Sequence, residues 1–144
     1  MIRQANIDDA ETVSALAHRL WPHAATSKLQ TEYREMLSGD DSAVFLATIN
    51  AQAVAFAQCG LRHDYVEGTG SSPVGYLEGI YVDSAFRRQG VAKALLARCQ
   101  QWARAKSCTE FASDCELTNE QSLRFHLGAG FQEANRIICF TKRL

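Results

Sequence analysis

A chain of 144 residues, 47% hydrophobic and 22% charged, has the size and composition of one domain with enough apolar material for a real core. Its formal net charge of −1 gives no electrostatic footprint for nucleic acid or an anionic membrane surface, and no apolar run reaches the length of a membrane span. The cysteines at 59, 99, 108, 115 and 139 form no Cys-x-x-Cys pair, and the histidines fall at no metal-ligand spacing, so buried, reduced thiols in a cytoplasmic protein without a bound metal are expected.

In chain order, residues 1–5 read as a short first strand. Asp8 with Glu11 has the form of a capping box, opening a helix whose buried face is Val13, Leu16, Ala17 and Leu20 and which Trp21-Pro22 ends. Ser27 with Gln30 repeats the pattern for a second helix through Leu29, Tyr33, Met36 and Leu37, with Gly39 as its stop. Residues 43–49 and 53–61 are apolar strands joined at Asn50-Ala51-Gln52, a compact hairpin. Residues 62–74 form a long polar connection, of the kind that carries function in compact domains. A strand over 75–82, a turn around Gly90 and a helix to about 105 follow, then a strand over 109–114. A helix over about 119–127 and a closing strand over 137–141 complete the chain. Strands and helices in this mixed order imply a single α+β domain with a mixed sheet.

The segment Arg87-Arg88-Gln89-Gly90-Val91-Ala92-Lys93 lies between that third apolar strand and its helix. A turn at a helix start presents backbone N–H groups and a positive dipole end, and here it adds arginine charge. The missing Cβ at Gly90 lets an anion approach the backbone closely, and a diphosphate would fit. The spacing is that of neither a nucleoside-triphosphate loop nor a dinucleotide fingerprint. A basic strand–helix turn hinged at Gly90 is the plain alternative.

This segment resembles Arg/Gln-x-x-Gly-x-Gly/Ala, the acyl-CoA pyrophosphate loop of the GCN5-related N-acetyltransferase (GNAT) superfamily. A second resemblance follows in order: Asn119, Ser122 and His126 before Gly130-Phe131 are similar to the family's Asn-x-x-Ala/Ser-x-x-x-Tyr before Gly-Phe. A narrower resemblance, to bacterial aminoglycoside 6'-N-acetyltransferases, is carried by Trp21-Pro22, Arg62-His63-Asp64-Tyr65-Val66, Ser71-Ser72-Pro73-Val74, Leu77-Glu78-Gly79-Ile80 and Ala112-Ser113-Asp114, and runs over essentially the whole chain. It implies a mixed, mostly antiparallel twisted sheet whose central parallel strands splay, with flanking helices. It also implies acetyl-CoA as co-substrate, aminoglycosides of the kanamycin and tobramycin type as acceptors, and a homodimer. By the same resemblance Ile80, Tyr81 and Val82 would pair with the pantetheine arm, and Asn119 would contact CoA. His126 stands where the family has the tyrosine that protonates the departing thiolate; histidine could take that role, or solvent could.

Amide formation from an amine and a thioester needs a proton acceptor, a donor for the oxyanion and a proton for the leaving thiolate. Glu78 sits mid-strand between Leu77 and Ile80, where an unpaired carboxylate would be costly, and Gly79 beside it suits a bulge. It is the candidate proton acceptor, directly or through water; the alternative is an edge residue facing solvent. Asp114, at the end of the next strand, would form with Glu78 a pair of carboxylates around an ammonium, unless it caps its own turn. Glu133 matches an acceptor-contacting position in the resemblance and could equally be a solvated charge. Trp21 and Tyr65 offer flat faces for a sugar ring, with core packing as the alternative, stronger for Trp21. Cys115, next to Asp114, is read as an inert buried thiol. The competing functions are acetylation of another small amine or a protein N-terminus, and non-catalytic sensing of acyl-CoA.

Overall fold

The computed structural model describes all of residues 1–144. Its elements are β1 (Ile2–Gln4), α1 (Ala10–Leu20), α2 (Thr26–Leu37), β2 (Ser42–Ile49), β3 (Gln52–Arg62), β4 (Val74–Val82), α3 (Val91–Ala105), β5 (Phe111–Ser113) and α4 (Glu120–Gly128). The five strands form one sheet in chain order, β1-β2-β3-β4-β5. The first three pairings are antiparallel; β4 and β5 are parallel, as a connection through α3 requires. At the β2–β3 turn Asn50 and Ala51 have φ of 51° and 64°, the left-handed pair that a two-residue hairpin needs.

Alternation along β3 divides the core into two layers. Ala55, Ala57 and Cys59 face α3 with Leu77, Leu95, Leu96 and Cys99. Phe56, pointing the other way, packs with Val13, Leu16, Ala17, Leu29 and Tyr33 of α1 and α2. Ser14 is fully buried in that second layer and is satisfied by donating to the Ala10 carbonyl at 2.5 Å.

One irregularity places the site. In the β3–β4 ladder Gln58 pairs with Gly79 and Cys59 with Leu77, so Glu78 is the extra residue of a β-bulge. A bulge reverses the side-chain alternation beyond it. Leu77 before it and Ile80 and Val82 after it all join the α3 layer, while Tyr81 packs in the α1–α2 layer. The expected bulge therefore exists and centres on Glu78, one residue before Gly79.

Four local expectations are corrected. The first capping box is made by Asn6 and Asp9: the Asn6 side chain accepts from the Asp8 N–H and the Asp9 carboxylate from the Asn6 N–H. These residues close a 3-10 turn over Ile7–Asp9 that leads into α1, so Asp8 and Glu11 do not cap. At α2 the N-cap is Ala25 with no side-chain bond, and Ser27 already lies inside the helix, where its carbonyl accepts from Thr31. Residues 137–141 form no strand: Ala134 against Gly68 and Asn135 on Glu67 route the tail past the 63–73 connection, and it pairs with no strand of the sheet. Cys59, Cys99 and Cys108 are buried, but Cys115 and Cys139 fall in irregular stretches and are exposed.

Candidate active site

The anion loop is built from backbone. Gly90 is the N-cap of α3 with φ +80° and ψ 5°, Arg88 is also left-handed at φ +61°, and no side chain caps the helix. The first helical bond here runs from the Ala94 N–H to the Gly90 carbonyl. The N–H groups from Arg88 to Lys93 consequently have no partner within the chain. Nothing lies within 4 Å of the place a Gly90 Cβ would take. Arg88, Gln89 and Gly90 are exposed and Val91 half-buried at the mouth, with Ala92 and Lys93 in the first helical turn. Unpaired donors at a positive helix end are the arrangement to which anions bind. The Arg87 Nε donates to the Val82 carbonyl at 2.9 Å, which ties the loop to the end of β4.

Beside the loop, β4 and β5 share only three register positions, from Gly75↔Phe111 to Leu77↔Ser113. Past Leu77 the edge of β4 that carries Ile80, Tyr81 and Val82 faces no strand. An extended chain such as a pantetheine arm could lie against that opening and use the strand's backbone groups.

On the α1–α2 face β3, β4 and the end of β5 gather a cluster of polar side chains. The Arg62 guanidinium grips Glu78 with Nε 3.0 Å and Nη2 2.8 Å from one carboxylate oxygen and Nη2 2.9 Å from the other. Its Cζ lies 3.8 Å from the centroid of the Tyr76 ring. The Tyr76 hydroxyl in turn donates to Asp114. Burial, followed by that bond to Asp114, pushes the Tyr76 phenol well above its ordinary pKa. Glu78 is thus not an unpaired carboxylate among apolar neighbours; it is forked by arginine. Glu78 and Asp114 are brought together, with Arg62 and Tyr76 between them.

Trp21, at the end of α1, leans over the bulge. A Cβ on Gly79 would come within 2.6 Å of the indole, so glycine is what lets the ring lie against the strand beside Glu78. Phe56 supports the indole edge-on at 6.2 Å between centroids. A cleft of about 220 Å³ opens next to Trp21, walled by Leu29, Glu32, Tyr33, Met36 and Gln58. Tyr65 projects from the 63–73 connection, 75% exposed. That connection is tethered: Glu110 accepts from the Gly70 N–H and the Ser71 hydroxyl, and the Ser72 hydroxyl donates to the His63 carbonyl. Glu133 lies on the tail, where it accepts from Arg136 at 2.6 Å, and no hydrogen bond links it to the Arg62, Glu78, Tyr76 and Asp114 cluster.

His126 sits on the opposite layer, wedged between Phe125 and Phe131. Its Nδ1 is 2.7 Å from the Ser122 carbonyl, an acceptor only, so Nδ1 carries a proton. Nε2 lies 2.8 Å from the Ser113 hydroxyl, whose oxygen is also 3.2 Å from the Leu77 carbonyl, so in the neutral ring these two acceptors share its one proton. Ser113 stands where β5 parts from β4, so the imidazole meets the opening through a serine. The Asn119 side-chain oxygen caps α4 by accepting from the Ser122 N–H at 3.1 Å, which leaves its amide nitrogen as the donor for a ligand.

The sequence pattern assigns no role to Arg62, Tyr76 or Ser113. A signal for Arg62 exists in principle, since it ends β3 at even spacing from Phe56 and Gln58 and so shares their face. The bulge that brings Tyr76 onto that face depends on the pairing of two strands, and residue spacing carries no sign of it.

Residues 10–131 match the acetyltransferase (GNAT) family. The aminoglycoside N(6')-acetyltransferase type 1 of Salmonella enteritidis is 42% identical over 99% of this chain and 98% of its own. That of Stenotrophomonas maltophilia is 44% identical over 96% of this chain and 90% of its own. The structure of AAC(6')-Iy in complex with the bisubstrate analogue CoA-S-monomethyl-acetylneamine superposes with a TM-score of 0.95 at 41% identity, covering 100% of this chain and 98% of the other. The apo 6'-N-acetyltransferase AAC(6')-IG of Acinetobacter haemolyticus gives a TM-score of 0.94 at 38% identity, over 100% and 99% of the two chains. With its unpaired N–H loop, its splayed β4 and β5 and these full-length matches, the chain belongs to the acetyltransferase (GNAT) family.

Proposed function

We propose that the protein is an aminoglycoside 6'-N-acetyltransferase, which transfers acetyl from acetyl-CoA to the 6'-amino group of antibiotics of the kanamycin and tobramycin type and so confers resistance. One observation carries this reading: a loop of unpaired backbone N–H groups and an open strand edge on one side of the bulge meet two carboxylates and an aromatic wall on the other. A phosphate-terminated thioester and a polycation are the two ligands such a pair of surfaces suits.

Acetyl-CoA supplies the activated acetyl group. The N–H groups of residues 88–93 hold its pyrophosphate, the free edge at Ile80, Tyr81 and Val82 holds the arm, and the Asn119 amide adds a contact. A backbone N–H of this edge polarises the thioester carbonyl, as an oxyanion donor must. Trp21 and Tyr65 stack on the sugar, with Glu133 a further contact for its charge. Asp114 holds and orients a substrate ammonium. Glu78 accepts the proton of the attacking amine, directly or through one water, in a ternary complex. The departing thiolate takes its proton from solvent, or from His126 in its imidazolium form through the Ser113 hydroxyl, which takes one proton from Nε2 as it passes its own on.

The protein acts in the cytoplasm as a homodimer. Residues 132–144 make no backbone–backbone hydrogen bond in the chain, yet Ile137, Ile138 and Phe140 lie 69%, 77% and 87% exposed. A strand-patterned tail and an open β5 edge are complementary, so the tail supplies a strand to a second copy. Sedimentation at micromolar concentration should give a dimer that removal of residues 132–144 abolishes; an active full-length monomer contradicts it.

The direct test is thiol release from acetyl-CoA with a panel of acceptors. Kanamycin and tobramycin should turn over far faster than spermidine or a peptide N-terminus. Preference for either of the latter reassigns the substrate, and acetyl-CoA binding without turnover leaves a sensor.

A further inference from the structure

The acceptor side already holds a cation of its own. Arg62 forks Glu78 at 2.8–3.0 Å and lies on the Tyr76 ring, whose hydroxyl is bonded to Asp114. Glu78, Arg62, Tyr76 and Asp114 therefore form one continuous string, and an ammonium bound between the two carboxylates has to enter it. Among the ion pairs of the molecule this is the one that joins two strands of the sheet. Arg62 ends β3, and its side chain is 45% exposed.

We propose that Arg62 is a positioning and specificity-determining residue: it occupies the ammonium subsite in the free protein, gives one oxygen of Glu78 up to the ammonium of a polycationic substrate, and through the other oxygen keeps Glu78 aimed. The proposal rests on the acetyl-transfer reading above. Two carboxylates and one guanidinium leave the cluster with a single net negative charge. An amine with one charge only exchanges cation for cation at Glu78. A substrate with several ammonium groups also reaches Asp114, and that second contact tips the exchange in its favour. The Tyr76 face gives the displaced guanidinium a place to rest, since arginine stacks on aromatic rings as readily as it forks carboxylates. Burial works against the Arg62 charge, but its bonds to Glu78, supported by the charge of Glu78, Tyr76 and Asp114, hold its pKa above the ordinary value.

Arg62→Met keeps the stem and removes the charge; Arg62→Lys keeps the charge and removes the fork. Kanamycin binding is measured by calorimetry on the purified protein, alongside steady-state kinetics and a thermal melt that checks folding. Arg62→Met should bind kanamycin about threefold to fivefold more tightly, the scale of one partly exposed charge. Its kcat should fall about tenfold, because Glu78 loses its aim. Arg62→Lys should return affinity to the wild-type value while restoring little of kcat. A merely structural arginine would instead weaken binding and turnover together. Equal, weaker or absent kanamycin binding by Arg62→Met overturns the proposal. If the wild-type protein acetylates no aminoglycoside, the functional reading fails, and the calorimetric comparison still decides the role of Arg62.

Discussion

The loop at Gly90 and the cluster at Glu78 both gather groups that pair with charge, yet they are made of different material. The loop is backbone, contiguous from Arg88 to Lys93, and its donors are free because a helix must leave its first N–H groups unpaired. The cluster is side chains gathered from β3, β4 and the end of β5, with Arg62 and Glu78 16 residues apart and Tyr76 and Asp114 38 apart. A contiguous backbone site depends on conformation at one or two positions. A gathered site depends on register, and each of its members can be tuned separately. Substitutions in the loop should therefore act on acetyl-CoA alone, and those in the cluster on the acceptor and the chemistry.

The largest effect is expected in the cluster. Glu78→Gln keeps the size of the side chain but cannot take a proton, and should lower kcat on the order of a hundredfold with acetyl-CoA affinity unchanged. Near-normal turnover across the pH range would move the base to Asp114 or to an ordered water. In the loop, Gly90→Val forces a β-branched residue into φ +80° and puts a side chain where the anion approaches. Acetyl-CoA should bind at least about tenfold more weakly, the strain of a left-handed residue alone amounting to ~1–2 kcal/mol. Kanamycin affinity should not change; if it falls in step, the two surfaces are not separate.

Asp114→Asn should raise KM several-fold more than it lowers kcat, since it removes one charge partner of an ammonium. Gly79→Ala is gentler: its Cβ meets the indole at 2.6 Å, so Trp21 has to shift and KM for aminoglycoside should rise a few-fold at nearly constant stability. The smallest effect lies outside both surfaces. Asp9 is held below the usual carboxylate range first by Arg3, against the opposing effect of burial, and then by the Asn6 N–H. Lowered in the folded protein, it contributes stability at neutral pH that is lost as pH falls through the carboxylate range. Asp9→Asn should cost about 1 kcal/mol at neutral pH, flatten the acid limb of a melting profile, and leave both ligand affinities alone.

How legible each surface is in the sequence follows from what makes it. Gly90 within a run of basic residues ahead of an amphipathic helix is local information, and by itself it points to a diphosphate. The alternation of β2 and β3, the hairpin at Asn50-Ala51 and the face of α1 through Val13, Leu16 and Ala17 are local as well, and the fold contains them. Gly79 signals the bulge but not its consequence. Leu77 and Ile80 share a layer only because Glu78 is unpaired in the ladder, and that same shift puts Tyr76 beside Arg62. The neighbours of Glu78 in sequence are apolar, which suggests an apolar environment; its partner comes from another strand. Capping is misplaced where two acidic residues compete, since Asp9 rather than Asp8 also meets Arg3. The tail over 137–141 has a strand's pattern, and a pattern does not reveal which chain provides the neighbouring edge.

The most direct measurement is the position of the acetyl group on the product. Purified protein is incubated with acetyl-CoA and kanamycin, thiol release is followed, and the product is examined by NMR. The account predicts one thiol released per antibiotic consumed and a single acetyl group on the 6'-nitrogen. Acetylation of another amine, or thiol release that does not depend on the antibiotic, would contradict it.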